Sequence, residues 1–354
     1  MNKQRSTSHF EFWPTWLIYL PVVFQWLWLS VRYRSLTLPL IANPLIPLAG
    51  MVGGSKDSLM SQATGACKDA MLPWVLHTVT DAQAAAQSAS LMASAAQQDI
   101  ALPFVCKPDM GCRGVGVKLI RNAEQLTQAL SAYPIGAALI CQRLASYEPE
   151  VGIFFVRHPR DSTGEIVSLT IKHTPCVVGD GHSTLRELVE RDPRAGQLLH
   201  LYAARNAADW ERVLPEHGIH RLLFSASHCR GAVFEDARGL ITDELSKAIN
   251  HIMAGLPEFY YGRLDVKFED IEALQAGRSL EIVEINGASS ESIHIWDKDA
   301  RLRDAISTLL WQYRTLFQIG AYLRQQGHTT PGIRSLLSHW LLERRLTRFY
   351  PETD

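Results

Sequence analysis

Residues 260–291, YYGRLDVKFEDIEALQAGRSLEIVEINGASSE, constrain the fold more than any other stretch. Two runs within it, 262–268 and 279–286, read as β-strands, whose side chains alternate between two faces. In the first, Arg263, Asp265 and Lys267 share one face, and Leu264, Val266 and Phe268 the other. In the second, strict alternation puts Leu280, Ile282, Glu284 and Asn286 on one face, and Glu281, Val283 and Ile285 on the opposite one. Paired antiparallel, the strands bring Asp265 beside Glu284 and Asn286, with Arg263 just outside them. Two carboxylates and an amide oxygen are hard ligands that suit Mg²⁺, and a guanidinium beside that ion meets the oxygens of a transferring phosphoryl group. An exposed strand pair with solvated charges carries the same pattern, so the rest of the chain has to decide.

The 354 residues are enough for two or three lobes with substantial cores. Hydrophobic residues at 47% and charged residues at 20% describe an ordinary globular protein. A formal net charge of −1 gives no global field for nucleic acid. Six cysteines, at 67, 106, 112, 141, 176 and 229, stand singly with no CxxC pair, as expected of a reduced, cytoplasmic compartment.

Residues 12–31 carry no charge, are rich in tryptophan, and run into Arg32 and Arg34. Twenty helical residues approach the length of a membrane span, but Pro14, Pro21 and Gln25 interrupt the run. A soluble core or dimer-interface helix, a helix lying in the bilayer surface and a true span are all open. The expectation is a surface helix, peripheral on the inner face of the cytoplasmic membrane. Further on, residues 36–42 are strand-like, and Ser55 can cap a helix over 56–67.

Residues 103–120, PFVCKPDMGCRGVGVKLI, read as a strand ending in Lys107, a loop with Gly111, Gly114 and Gly116, and a second strand. Glycines let main-chain amides approach phosphate oxygens, and a lysine on the adjoining strand reaches the same oxygens. A plain hairpin turn has the same letters. The strand 138–142, the linker 143–149 and the strand 150–157 are suited to hinging two lobes, with main chain from Gln142 onward for an adenine and Glu150 for a ribose. Lys172 lies on a strand over 165–174, and a helix over 185–191 follows a Gly-Asp-Gly turn. His228 and Arg230 sit in a charged break within 222–234, and the chain beyond 297 is helical in two segments, 300–324 and 333–348.

Lys56, Lys107 with its glycines, Glu150, Lys172, Arg263-x-Asp265 and Glu284-x-Asn286 stand in the order found in the ATP-grasp superfamily. The resemblance covers roughly residues 55–296. GRLDV and EINGASSE resemble the D-alanine–D-alanine ligase group, and VVGDGHSTLRELVERDPRAG is similar to the cyanophycin synthetase branch. It implies an α/β (α+β) fold of two lobes with ATP bound between them. Residues 1–54 would be an aromatic segment in place of the usual amino-terminal α/β domain. Residues 55–299 would be the ATP-grasp domain, its small lobe at about 100–145, and residues 300–354 a helical extension without a family counterpart.

The resemblance also implies roles. Arg263 would serve transfer, and Asp265, Glu284 and Asn286 would hold Mg²⁺, with Mn²⁺ as an alternative. Lys56, Lys107, Gly111, Gly114, Gly116, Gln142, Glu150 and Lys172 would bind ATP, with Gln142 standing where an acidic residue is common. His228, Arg230, Ser289, Ser290 and Glu291 are candidates for substrate contact. The expected activity is ATP-dependent joining of a small-molecule carboxylate to an amine. A phosphotransferase acting on a hydroxyl, or a membrane-associated nucleotide-binding protein without turnover, are the alternatives, and a homodimer is left open.

Overall fold

The computed structural model describes residues 8, 10–11, 13–111, 114–224 and 231–353. Helix α1 (Thr15–Tyr33) is the first element of the described residues. The strand expected over 36–42 is a 3₁₀ turn, Leu38–Ile41, because Pro39 opens it and has no N–H for a ladder. Asn43 then acts as the missing strand would: its Oδ1 accepts from the N–H of Tyr260 and Tyr261, and its Nδ2 donates to Tyr261 O at 2.8 Å. The helix expected over 56–67 is two short ones, α2 (Lys56–Met60) and α3 (Gly65–Ala70). Ser55 caps the first, accepting from Ser58 N–H, and Gly65 breaks the path with φ +50°.

The first lobe contains β1 (Trp74–Thr78), α4 (Ala84–Ala96), β2 (Phe104–Pro108), β3 (Lys118–Ile120), α5 (Ala123–Ala132) and β4 (Ala138–Arg143). Its antiparallel sheet runs β1-β4-β2-β3 and so draws in a strand that precedes the 100–145 segment. Leu91, Phe104, Leu126, Leu130 and Leu139 pack the helices onto this sheet.

The second lobe is built on β5 (Glu150–Val156), β6 (Glu165–His173), β7 (Cys176–Val178), α6 (Leu185–Arg191), α7 (Leu199–Arg205), β8 (Ile219–Arg221), β9 (Val233–Asp236), α8 (Asp243–Met253), β10 (Tyr261–Phe268), α9 (Ile271–Gln275) and β11 (Leu280–Asn286). The large sheet has the order β11-β10-β5-β6-β9, and β7 pairs with β8 beside it. Residues 222–234 read as a strand with a charged break; of those described, only Val233 and Phe234 are strand, at the start of β9. Thr242 caps α8, whose Leu245, Ile249, Ile252 and Met253 face Leu264, Val266 and Phe268 in one core. Each such side chain contributes roughly 1.5–3 kcal/mol by leaving water.

Strict alternation fails in β11. Asp265 lies opposite Glu284, but the next residue, Val266, lies opposite Ile282, so Val283 is an extra residue in a β-bulge. Ile282, expected on the face of Glu284, is therefore in the core at 2% exposure, while Val283 lines the cleft.

Helices α10 (Leu302–Gln325) and α11 (Ile333–Thr347) complete the described chain. Helix α1 lies on α10, with Trp26 edge-on to Tyr313 and Phe317 and with Tyr33 stacked on Phe317. Helix α11 buries none of its residues fully.

Candidate active site

A cavity of about 2080 Å³ opens between the two sheets. Strands β10 and β11 make part of its floor because their polar faces point away from the α8 core. Arg263 pairs with Asn286 across the strands and Asp265 with Glu284. Two carboxylates directly opposite each other repel unless cations neutralise them. Here Asp265 takes a forked contact from Arg263, Nε to Oδ1 at 2.9 Å and Nη2 to Oδ2 at 3.2 Å. Lys172 Nζ stands 2.8 Å from Asp265 Oδ1, and Asn286 Nδ2 donates to Oδ2 at 3.2 Å. Burial pushes the Asp265 carboxyl up, but Arg263 and Lys172 outweigh it and hold the group below the usual carboxylate range. Glu284 faces Lys56 at 3.7 Å.

Lys172 and Lys267 also flank Glu150, at 2.7 and 3.2 Å. Burial opposes ionisation of Glu150, and the two lysines more than offset it, lowering its pKa. Across the cleft Lys56, Lys107, Lys172, Arg263 and Lys267 thus surround Glu150, Asp265 and Glu284. Within this group positive charge is in excess, which suits a polyanion.

The roof comes from the first lobe. Lys107, at the end of β2, is buried and donates to Val283 O on the opposite sheet at 3.1 Å. Lys56 donates to the carbonyls of Pro108, Asp109 and Gly111, at 3.3, 3.2 and 2.9 Å, and so ties α2 to the start of the glycine loop. Gly111, Gly114 and Gly116 all have positive φ, and a Cβ on Gly116 would sit 2.9 Å from Pro108 Cγ. Gln142 is buried with Nε2 donating to Leu72 O at 3.3 Å, while Leu144 and Ala145 of the linker line the cavity.

Glu281, Tyr19 and Glu11 have no forewarning in the motifs. Glu281, on the same side as Lys267, accepts from Ser146 N–H at 2.6 Å and from Arg143 at 2.8 Å and so fixes the linker between the lobes. Glu291 receives the Tyr19 hydroxyl from α1 and Trp296 Nε1 at 3.1 Å, while its backbone O accepts from Arg263 Nη1 at 3.4 Å. Ser289 and Ser290 line the cavity beside it, with the Ser290 hydroxyl donating to Gly287 O at 2.6 Å. Glu11, at 1% side-chain exposure, forms a two-armed ion pair with Arg194, 2.8 Å on one arm. The aromatic amino segment therefore walls one end of the cleft. Tyr19 could be read there only as one more aromatic in an apolar run. His228 and Arg230 lie outside the described residues.

The carboxyl end of the chain closes over the glycine loop. Glu343 on α11 accepts from Gly53 N–H at 2.8 Å. The Thr353 hydroxyl donates to Gly114 O at 2.5 Å and accepts from Val117 N–H at 3.3 Å, while Arg205 Nε of α7 donates to Thr353 O at 2.9 Å.

The metal-ligand set that the strand pair offers is two carboxylates and an amide oxygen. Among the described residues no group of three or more His, Cys, Asp or Glu side chains gathers to hold a metal. Asp265 and Glu284 nevertheless fit a hard cation, because their carboxylates stand opposite each other on the cleft face.

No protein-family model and no curated protein sequence matches the chain. Among solved structures, it is similar to a bifunctional glutathione synthetase from Pasteurella multocida, at 14% identity, TM-score 0.37, over 73% of this chain and 36% of that one. A D-cycloserine synthetase matches at 14% identity and TM-score 0.38, over 73% of this chain and 70% of that one. A D-alanine–D-alanine ligase from Bacillus anthracis matches at 10% identity and TM-score 0.41, over 77% and 72%. The chain itself is built of two α+β lobes on antiparallel sheets, with a cleft between them.

Proposed function

We propose that the protein is an ATP-dependent ligase that activates a small-molecule carboxylate and joins it to an amine. The observation that carries this reading is the cross-strand pair of Asp265 and Glu284, ringed by Arg263, Lys172, Lys56 and Lys107 in one cleft. Asp265, Glu284 and Asn286 would hold Mg²⁺, or Mn²⁺, which when bound supplies positive charge to the phosphate oxygens. Lys107 and the amides of the glycine loop would bind the polyphosphate, with the linker main chain after Gln142 against the base.

In the proposed reaction an oxygen of the substrate carboxylate attacks the γ-phosphorus of ATP. The bond from that phosphorus to the β,γ-bridging oxygen breaks, and ADP leaves with the electron pair. The amine nitrogen then attacks the acyl carbon, inorganic phosphate leaves, and the nitrogen loses a proton. Arg263 sits where charge builds on the transferring group, and Lys172 keeps Asp265 ionised beside it. Positioning and electrostatic stabilisation account for such chemistry without a side-chain nucleophile.

The test is release of ADP and of inorganic phosphate from Mg-ATP in the presence of amino-acid and small-peptide pools. Equal release of both, dependent on two added substrates, supports ligation. ADP with a phosphorylated product and no free phosphate would make the protein a phosphotransferase. Nucleotide binding with no ADP formed under any pool would sink the enzymatic reading.

A further inference from the structure

Helix α1 divides sharply into two faces. Its inner face is committed to the protein body: Ile18, Val22 and Leu29 are buried, and Trp26 and Tyr33 pack on Phe317. Its outer face carries Trp16, Leu17, Leu20, Val23, Phe24, Leu27, Trp28 and Val31, all exposed, with Trp16 at 68%, Phe24 at 65% and Val31 at 79%. At 3.6 residues per turn these eight occupy one arc of about 140°, and none is polar. Soluble monomers rarely leave so continuous an apolar strip in water.

The charges around the strip indicate what covers it. No Asp or Glu occurs between positions 12 and 56. Exposed Arg32 and Arg34 close the carboxyl end of the helix, Arg32 lying 5.7 Å from the Trp28 ring, and Arg324 donates to Tyr33 O at 2.9 Å beside them. Packing α1 against α1 of a second copy, parallel or antiparallel, would bring these arginines to an outer face with no carboxylate to receive them. An anionic lipid surface supplies both partners, acyl chains for the strip and phosphates for the arginines. Among the described residues no helix is long and apolar enough to cross a membrane, and the inner face holds α1 on α10.

We infer that the outer face of α1 docks the whole protein on an anionic lipid surface, with the helix lying in the interface. The inference does not depend on what the cleft catalyses.

The test uses the full-length protein and sedimentation with phosphatidylcholine vesicles made with and without phosphatidylglycerol. Binding is expected to the anionic vesicles, with a blue shift of tryptophan emission. Phe24→Glu with Trp28→Glu should abolish it, both positions being exposed. Arg32→Gln with Arg34→Gln leaves the strip untouched and should weaken partitioning about thirtyfold, from about 1 kcal/mol for each arginine. Equal binding to neutral and anionic vesicles, or no binding to either, overturns the inference. A dimer in sedimentation velocity that Phe24→Glu with Trp28→Glu dissociates, with no vesicle bound, overturns it in favour of a second copy.

Discussion

The ammonium of Lys107 on β2 donates to the carbonyl oxygen of Val283 on β11, 3.1 Å away, so a single side chain spans the cleft between the two sheets. Val283 is the extra residue of the bulge. Burial pushes Lys107 down to about 8; Lys56 adds to the fall while Glu284 opposes it. Lys107 therefore loses its proton as pH rises through about 8. A polyphosphate binds the charged form, so ATP affinity should be flat below that pH and fall above it. Lys107→Arg should remove the decline, since a guanidinium stays charged. Lys107→Ala should weaken ATP binding roughly ten- to hundredfold at neutral pH, the range for a lost hydrogen bond to a charged group. Calorimetric titrations across this pH range check all three.

Glu284 and Asp265 should respond differently to loss of charge. Glu284 faces only Lys56 at 3.7 Å among the ion pairs described, so Glu284→Gln should abolish Mg²⁺-dependent turnover with little change in melting temperature. Asp265→Asn also strips Arg263 and Lys172 of their shared carboxylate and should lower stability, by about 3–5 kcal/mol if a buried pair is fully broken. Turnover against Mg²⁺ concentration, together with thermal melts, separates the two cases. Full activity in Glu284→Gln would remove it from the metal set.

Glu11→Gln should destabilise the protein strongly, again by about 3–5 kcal/mol, because Arg194 would keep a buried charge without its carboxylate. Denaturant unfolding reads this directly. A shift within a few tenths of a kcal/mol would mean that water or other groups serve Arg194.

Gly116→Val should impair nucleotide binding, since the new side chain meets Pro108 and the backbone there has φ +74°. Thr353→Val removes the hydroxyl that bridges Gly114 and Val117 and should raise the dissociation constant for ATP several-fold without lowering the melting temperature. Unchanged affinity in both variants would make the loop a passive hairpin.

The sequence carries the strand pair of the cleft openly because polar and apolar residues alternate in its first strand. It hides the bulge, since Ile282 and Val283 are both β-branched and either could face the core. Helix α6 appears at its expected bounds, 185–191, where Thr184 and Glu187 form a capping box. The two faces of α1 were not legible, because a run that is apolar all round has no period to read. Glu281 and Tyr19 were missed for a related reason: each gains its role from a partner more than a hundred residues away.

Thr353 belongs at once to the tail, to the glycine loop through Gly114 and Val117, and to the second lobe through Arg205. Coupling of this kind is reciprocal: whatever steadies the loop must steady the tail by the same free energy. The closing residues would then act as a reporter of cleft occupancy. Their protection from carboxypeptidase, or from trypsin at Arg344, Arg345 and Arg348, should rise with ATP concentration along the curve that calorimetry gives for the distant nucleotide site.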